Sequence, residues 1–274
     1  MSSAVDHFVW SADPILLHLG PFQLRWYGLF FVGSFFIGMA LLRWIFRREK
    51  IPADDLDNLL LLSLLGTVVG ARLMHCLAYQ PDYYLSHPLE ILKVWKGGLA
   101  SHGGMLGMMV VLYWYARTRG LSYIWLLSRL TIPGMIVAAS VRIGNFFNSE
   151  ILGLPTDVPW AVIFSRIDAL PRHPVQLYEA ISYLLIFVVL LLIYLRTRPA
   201  FSARILPGIF LVLLFGSRFA LEYFKTRQAD YTTSLPWTTG QLLSLPMILL
   251  GIAWIIWAIA GSSPHDDQHK KSVS

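Results

Sequence analysis

The sequence predicts an all-α polytopic membrane protein, with seven transmembrane helices and a small outer-face cap. Three observations carry that prediction. Of 274 residues, 56% are hydrophobic and only 14% charged, with a mean hydropathy of +0.58, which leaves too little polar surface for a water-soluble globule. The apolar residues come in stretches close to the roughly 20 that a bilayer core requires of a helix. The basic residues behind the net charge of +6 fall in short clusters between those stretches. They read as topology signals and not as a nucleic-acid-binding face.

The N-terminus, "MSSAVDHFVWSADPILLHLG", has no basic leader and no small-residue cleavage site, so no removable signal peptide is expected. Seven stretches then qualify as spans, at about 26–46, 57–79, 99–116, 123–141, 175–195, 205–224 and 239–260. The fourth carries Arg129 and Pro133 in its middle. No internal repeat interrupts the pattern, so residues 1–261 read as one seven-helix transmembrane domain. The long loop at 142–174 forms the cap, with "WAVIF" suited to a short strand, and residues 262–274 read as a disordered tail. Eleven Lys and Arg lie on one side, in the short loops, the tail and, with Arg43, the adjoining end of span one, against eight in the longer segments opposite. The positive-inside rule therefore puts the N-terminus outside and the C-terminus in the cytoplasm. The single cysteine, Cys76, excludes an internal disulfide and reads as a small buried apolar residue.

Polar residues then fall at one depth. Tyr27 and Gln241 open spans one and seven, and His102 opens span three. Arg72 and His75 share a face of span two, Arg142 closes span four, Glu179 opens span five, and Arg218 and Glu222 form an i,i+4 pair ending span six. Inverting the protein would move all of them together to the other leaflet. Ionisable groups inside a bilayer cost at least ~2.5–3.5 kcal/mol each and face a cavity or a partner. Three arginines against Glu179 and Glu222 leave a positive remainder, so the cavity suits an anion. Arg129, nearer the other side, is expected to snorkel or to pair elsewhere.

Each residue also has a structural reading. Arg218 with Glu222 fits an interhelical ion pair, Arg72 a snorkelling side chain, His75 a satisfied interfacial histidine, and Tyr27 beside Trp26 an aromatic belt. Gly103, Gly104 and Gly107 fit close helix packing, and their small size leaves His102 accessible. In "RIGNFFNSEILG" at 142–153, Arg142, Asn145 and Ser149 share one helical face, while Gly144, Gly153 and Pro155 end the helix soon after. Amides beside an arginine at such a break form a donor-rich nest for a phosphate or carboxylate. The alternative is a polar helix end in the headgroup layer.

Seven blocks carry a resemblance: "RWYGL" at 25–29, "GARLMH" at 70–75, "WKGGLASHGGMLG" at 95–107, "RIGNFFNSEILG", "RHPVQLYEA" at 172–180, "FGSRFALEYFKTRQAD" and "GQLLSLPM" at 240–247. In this order, across nearly the full chain, they resemble the bacterial prolipoprotein diacylglyceryl transferase family. The resemblance implies a multi-pass enzyme of the bacterial inner membrane, its site toward the outer leaflet beneath a periplasmic cap. It would move the sn-1,2-diacylglyceryl group of phosphatidylglycerol onto the lipobox cysteine thiol of a prolipoprotein, forming a thioether and releasing glycerol phosphate. Its partners would be phosphatidylglycerol, preprolipoprotein signal peptides and membrane lipid. The resemblance implies that Arg142, Asn145, Asn148, Glu150, Gly153 and Arg218 bind phosphatidylglycerol, and that His102, Arg142, Arg218, Glu222 and Tyr27 are catalytic. Two positions depart from the pattern. Val141 stands where a glycine precedes the signature arginine, and Ser128 followed by Arg129 stands where an acidic residue is common.

Residue chemistry leads independently to the same reaction. Displacing a phosphate from a glyceryl carbon builds charge on the leaving oxygens, and arginines, always charged and forked, stabilise it in a dry site. The attacking sulfur arrives on the peptide, so the enzyme needs no cysteine of its own. A thiol with a pKa near 8.5 needs a base or a positive field to raise its thiolate fraction. Arg142 and Arg218 are expected to hold the phosphate with Glu222 orienting Arg218. Tyr27, Asn145 and Glu150 would position the headgroup, and His102 would either assist thiol deprotonation or orient the lipid. No cofactor is expected, and no residues have zinc-ligand spacing. A transporter would thread charge through both leaflets and show paired broken helices, and an intramembrane serine protease would carry a nucleophile motif such as GxSxG. Neither pattern is present.

Overall fold

The apolar runs become helices, because backbone in hydrocarbon must satisfy its own N–H and C=O groups. The computed structural model describes residues 6–20, 22–52, 56–94, 97–98, 100–226 and 237–261. They fall within two compact units, one of Met1–Leu42 with Ser128–Ser274, the other of Arg43–Leu127. The expected tail, 262–274, lies outside the described residues, as do Trp95, Lys96 and Leu99 of the "WKGGLASHGGMLG" block.

The first unit opens with strands absent from the sequence reading: β1 (Phe8–Trp10), then a hairpin of β2 (Ile15–Leu19) and β3 (Phe22–Arg25) that leads directly into helix α1 (Trp26–Arg48). Helix α5 (Tyr123–Asn148) enters this unit at Ser128 and runs past the expected end at 141. The 142–174 loop contributes β4 (Val162–Phe164) and β5 (Pro171–Arg172), so the "WAVIF" expectation holds. β1 pairs in parallel with β4, and β4 antiparallel with β5. This sheet rests on aromatic rings, with Trp10 4.6 Å from Phe146 and Phe164 5.5 Å from Phe146. The phenylalanines of "RIGNFFNSEILG" are therefore its anchors. Helices α6 (Val175–Arg196), α7 (Pro199–Leu221) and α8 (Thr239–Ala260) follow, with a 3-10 turn at Glu222–Phe224. α7 and α8 pack closely where a Cβ on Gly208 would meet the Gly251 carbonyl at 2.9 Å. Arg129, fully buried, donates to the Pro199 carbonyl at 2.9 Å and lies 5.0 Å over the Tyr194 ring, so it pairs within the protein instead of snorkelling.

The second unit contains α2 (Leu56–Met74), extended by a π-helical turn at His75–Tyr79, then α3 (Pro81–Ser86), a 3-10 turn at Pro88–Leu92 and α4 (Ser101–Thr118). The expected loop at 80–98 is thus partly helical. α2 and α4 approach through facing glycines: a Cβ on Gly70 would lie 2.3 Å from the Gly103 carbonyl, and one on Gly107 2.1 Å from the Gly66 carbonyl. The packing reading of Gly103 and Gly107 is the one realised.

Six helices among the described residues are long and apolar enough to cross a membrane: Trp26–Arg48, Leu56–Tyr79, Tyr123–Asn148, Val175–Arg196, Pro199–Phe224 and Thr239–Ala260. They expose Phe36, Leu65, Leu185, Leu249 and Ile256, as expected of faces turned to lipid. This is a largely helical, polytopic membrane protein. The expected span at 99–116 is α4, which is not among the six; His102, its glycines and the Tyr113–Trp114–Tyr115 run dilute its hydropathy.

Candidate active site

Helix α5 delivers Arg142 and Asn145 on one face and then breaks. Ser149 and Ile151 take positive φ, +56° each, a conformation disfavoured for any side chain and most of all for a β-branched one. The turn is held by its own polar groups. Asn145 Nδ2 and Asn148 Nδ2 donate to the two oxygens of the Glu150 carboxylate at 3.0 and 3.1 Å. The Glu150 carbonyl accepts from Gln176 Nε2 at 2.6 Å. Both amides are spent on Glu150, so the expected nest of free donors is instead a closed ring around a carboxylate. Tyr27 joins this stretch through Gly144, where a Cβ would fall 2.6 Å from the Tyr27 ring.

Arg142 turns to helix α6. Its Nε lies 3.2 Å from Glu179 Oε2, and its Nη1 reaches Asn145 Oδ1 at the limit of a hydrogen bond, 3.5 Å. Neither Arg142 Nε nor Glu179 Oε2 makes an aligned hydrogen bond, so the pair meets as charge against charge. Glu179 is completely buried, where its carboxylate demands compensation. A second cation supplies it: Lys225 Nζ donates to Glu179 Oε1 at 2.8 Å.

Lys225, 8% exposed, also reaches Glu222 Oε2 at 3.3 Å. Glu222 Oε1 accepts from Thr238 Oγ1 at 3.1 Å, beside the capping box that Thr238 and Gln241 form at the start of α8. Glu222 therefore does not orient Arg218, contrary to the sequence reading; a nearer cation and a hydroxyl hold it. Among the described residues Arg218 has no hydrogen bond and no ion pair. It stands one helical turn before Glu222, whose partner Lys225 also holds the Glu179 that pairs with Arg142.

Gly153 is buried at a crossing of chains. It pairs in antiparallel fashion with Lys225, its carbonyl accepts from Arg172 Nη1 at 3.1 Å, and a Cβ there would strike the His173 carbonyl at 2.2 Å. Only glycine fits, and its part is to seat the Lys225 backbone. Nearby, Arg172 holds the Asp168 carboxyl below the usual carboxylate range, chiefly by hydrogen bonding, and burial pushes the His173 imidazole down from its ordinary value.

In the second unit, Arg72 serves a different purpose from the one the sequence suggested. Its guanidinium donates to the carbonyls of Ile91 (2.9 Å), Glu90 (2.6 Å) and Gly97 (2.6 Å), lies 5.1 Å over the Tyr84 ring and is 3% exposed. It is consumed by the backbone and is not a free anion ligand. His75 stacks near Tyr79 with ring centroids 6.0 Å apart, the satisfied interfacial histidine. His102 stands exposed in the first turn of α4.

The described cationic centre thus holds Arg142, Arg218 and Lys225 against buried Glu179 and half-buried Glu222. The model of the family described as prolipoprotein diacylglyceryl transferase matches residues 14–257. The chain belongs to the prolipoprotein diacylglyceryl transferase family. It is 50% identical to the phosphatidylglycerol–prolipoprotein diacylglyceryl transferase of Chloroherpeton thalassium, over 93% of this chain and 95% of that protein. It is 49% identical to that of Tolumonas auensis, over 90% and 96%, and 36% identical to that of Bacteroides fragilis, over 90% and 94%.

For a diacylglyceryl transferase of this family, the centre's chemistry is that of anion capture, with guanidinium donors at a partly desolvated site. Lys225 reads in the sequence as a loop cation, so its pairing is not evident there. Its i,i+3 spacing from Glu222 in "LEYFK" was the available signal. Gln176, buried and tied to the Glu150 carbonyl, sat unremarked in the "RHPVQLYEA" block.

Proposed function

We propose that the protein transfers the sn-1,2-diacylglyceryl group of phosphatidylglycerol to the lipobox cysteine thiol of prolipoproteins. The sulfur forms a bond to the glyceryl carbon, the carbon–oxygen bond to phosphate breaks, glycerol phosphate leaves with the electron pair, and the thiol proton is lost. The reading rests on one observation: Arg218, unpaired among the described residues, stands one helical turn from the Glu222–Lys225–Glu179 bridge that also carries Arg142. An unpaired guanidinium in that setting demands an anion, and a phosphodiester supplies two oxygens to its fork.

In this reading Arg218 and Arg142 hold the phosphate and stabilise charge developing on the leaving oxygens. Tyr27, Asn145, Asn148, Glu150 and Gly153 build the wall on which the headgroup rests, Glu222 lines the site one helical turn from Arg218, and His102 takes the thiol proton. The chain crosses the bacterial inner membrane seven times, counting α4. Its N-terminus is periplasmic and its C-terminus cytoplasmic, and the sheet of β1, β4 and β5 forms a periplasmic cap over a site open to the outer leaflet. The signal peptide of the prolipoprotein brings the nucleophile.

The test uses the purified full chain, phosphatidylglycerol in mixed micelles and a synthetic lipobox peptide. Thioether product with an equimolar release of glycerol phosphate is expected; folded protein yielding neither defeats the reading. A His102→Gln variant that keeps the wild-type alkaline limb of the pH–rate profile removes His102 as the base.

A further inference from the structure

We infer that Lys225 is a positioning residue for the transfer: it takes up the carboxylates of Glu179 and Glu222 and so leaves the Arg218 guanidinium open for the lipid phosphate. The inference deepens the proposed function and rests on it. Arg218 and Glu222 stand four residues apart at the end of α7, spacing that ordinarily favours an ion pair. Instead, Glu222 Oε2 meets Lys225 Nζ at 3.3 Å and its Oε1 takes the Thr238 hydroxyl at 3.1 Å. The carboxylate also packs against the first turn of α8, where a Cβ on Gly240 would lie 2.6 Å from Glu222 Oε1. A helix N-terminus is a favourable neighbour for an anion.

Lys225 is held by more than its N–H bond to the Glu222 carbonyl at 3.2 Å. Its backbone pairs with Gly153, flanked by hydrogen bonds from Leu154 N to the Phe224 carbonyl at 2.8 Å and from Thr226 N to the Leu152 carbonyl at 3.2 Å. From that seat the ammonium bridges Glu179 at 2.8 Å and Glu222. One compact cation thus serves two acids, so that Glu179 takes up only part of Arg142 and Glu222 none of Arg218. Without Lys225, Glu222 loses its cation, and Arg218, one helical turn away, becomes its nearest replacement along α7. The lipid would then compete with a carboxylate for Arg218.

The experiment measures phosphatidylglycerol-dependent turnover and the melting temperature of the full chain carrying Lys225→Gln or Lys225→Arg. For Lys225→Gln, KM for phosphatidylglycerol is expected to rise about tenfold or more while kcat stays within about threefold, the pattern of lost substrate binding. Lys225→Arg, which keeps a cation able to bridge two carboxylates, is expected to stay within about threefold of wild type in KM. An unchanged KM in Lys225→Gln overturns the inference. So does a loss carried by kcat and melting temperature with KM unmoved, which would make Lys225 a purely structural ion. If Lys225→Gln is not recovered folded, Lys225→Arg decides, and a KM raised about tenfold or more in that variant overturns the inference. Wild-type protein that releases no glycerol phosphate defeats the proposed function itself, an outcome separate from all of these.

Discussion

Arg142 Nε stands 3.2 Å from Glu179 Oε2, an ion pair whose acidic partner is completely buried. Because Lys225 also leans on Glu179 at 2.8 Å, one carboxylate is shared by two cations from separate segments. Removing it should therefore cost more than removing either cation. Glu179→Gln leaves Arg142 without its counter-ion and Lys225 with Glu222 alone, and breaking a buried pair in this way costs about 3–5 kcal/mol. A marked fall in melting temperature with loss of transfer activity is expected. A variant that melts with the wild type would show Glu179 to be dispensable as a counter-ion.

Arg72 gives the second prediction. Its donors are spent on the carbonyls of Glu90, Ile91 and Gly97, and Gly98 lies so close that a Cβ would meet Arg72 Nη1 at 2.9 Å. A lysine ammonium has no planar fork to span those carbonyls. Arg72→Lys should forfeit at least one hydrogen bond from a charged donor, about 1.5–3 kcal/mol. Hydrogen exchange checks this: amides at 89–94 and 97–98 should exchange faster, while those of α7 and α8 keep the wild-type pattern.

The span pattern and the helix break after "RIGNFF" were legible because they depend on local composition and on glycine spacing. The strand at 162–164 was legible for the same reason. Its parallel partner Phe8–Trp10 was not, since pairing across some 150 residues leaves no local signal. Charge was the least legible property. The i,i+4 rule joined Glu222 to Arg218, but the bridge of Lys225 to Gly153 and the capping box of α8 brought Glu222 nearer partners. Arg72 likewise reads as an anion ligand until the carbonyls of Glu90, Ile91 and Gly97 are located around it.

Glycines divide into those that must be glycine and those that need not be. A Cβ at Gly107 would fall 2.1 Å from the Gly66 carbonyl, whereas one at Gly134 in α5 meets nothing within 4 Å. Gly107→Val should force α2 and α4 apart and cost about 1–3 kcal/mol or more as overpacking. Gly134→Ala should be tolerated or stabilise by about 0.5–1 kcal/mol, because it removes chain entropy from a helix interior. Thermal unfolding of the two variants in one detergent checks the contrast, which fails if both shift the midpoint alike.

His173 supplies a pH dependence with a definite sign. Burial pushes its folded-state pKa below the ordinary value of 6.5, and its Nδ1 lies 3.2 Å from the Tyr178 hydroxyl, which also accepts from Trp160 Nε1 at 2.7 Å. The unfolded chain therefore binds a proton at this site more readily than the folded one. Stability from this group is fully present above about pH 6.5 and falls as pH drops through that value toward the lower folded pKa. Asp168 acts at more acid pH in the same direction. Arg172 holds its folded pKa below 3.8, so its contribution is present above that value and is lost as pH falls through the folded pKa. Melting temperatures measured from pH 8 down to about pH 5 exclude Asp168, which stays ionised throughout that interval, and a variant separates His173 from the other histidines. A His173→Phe variant, which keeps a ring beside Phe224, should flatten the decline relative to wild type. An equally steep decline in that variant would assign the dependence to another group.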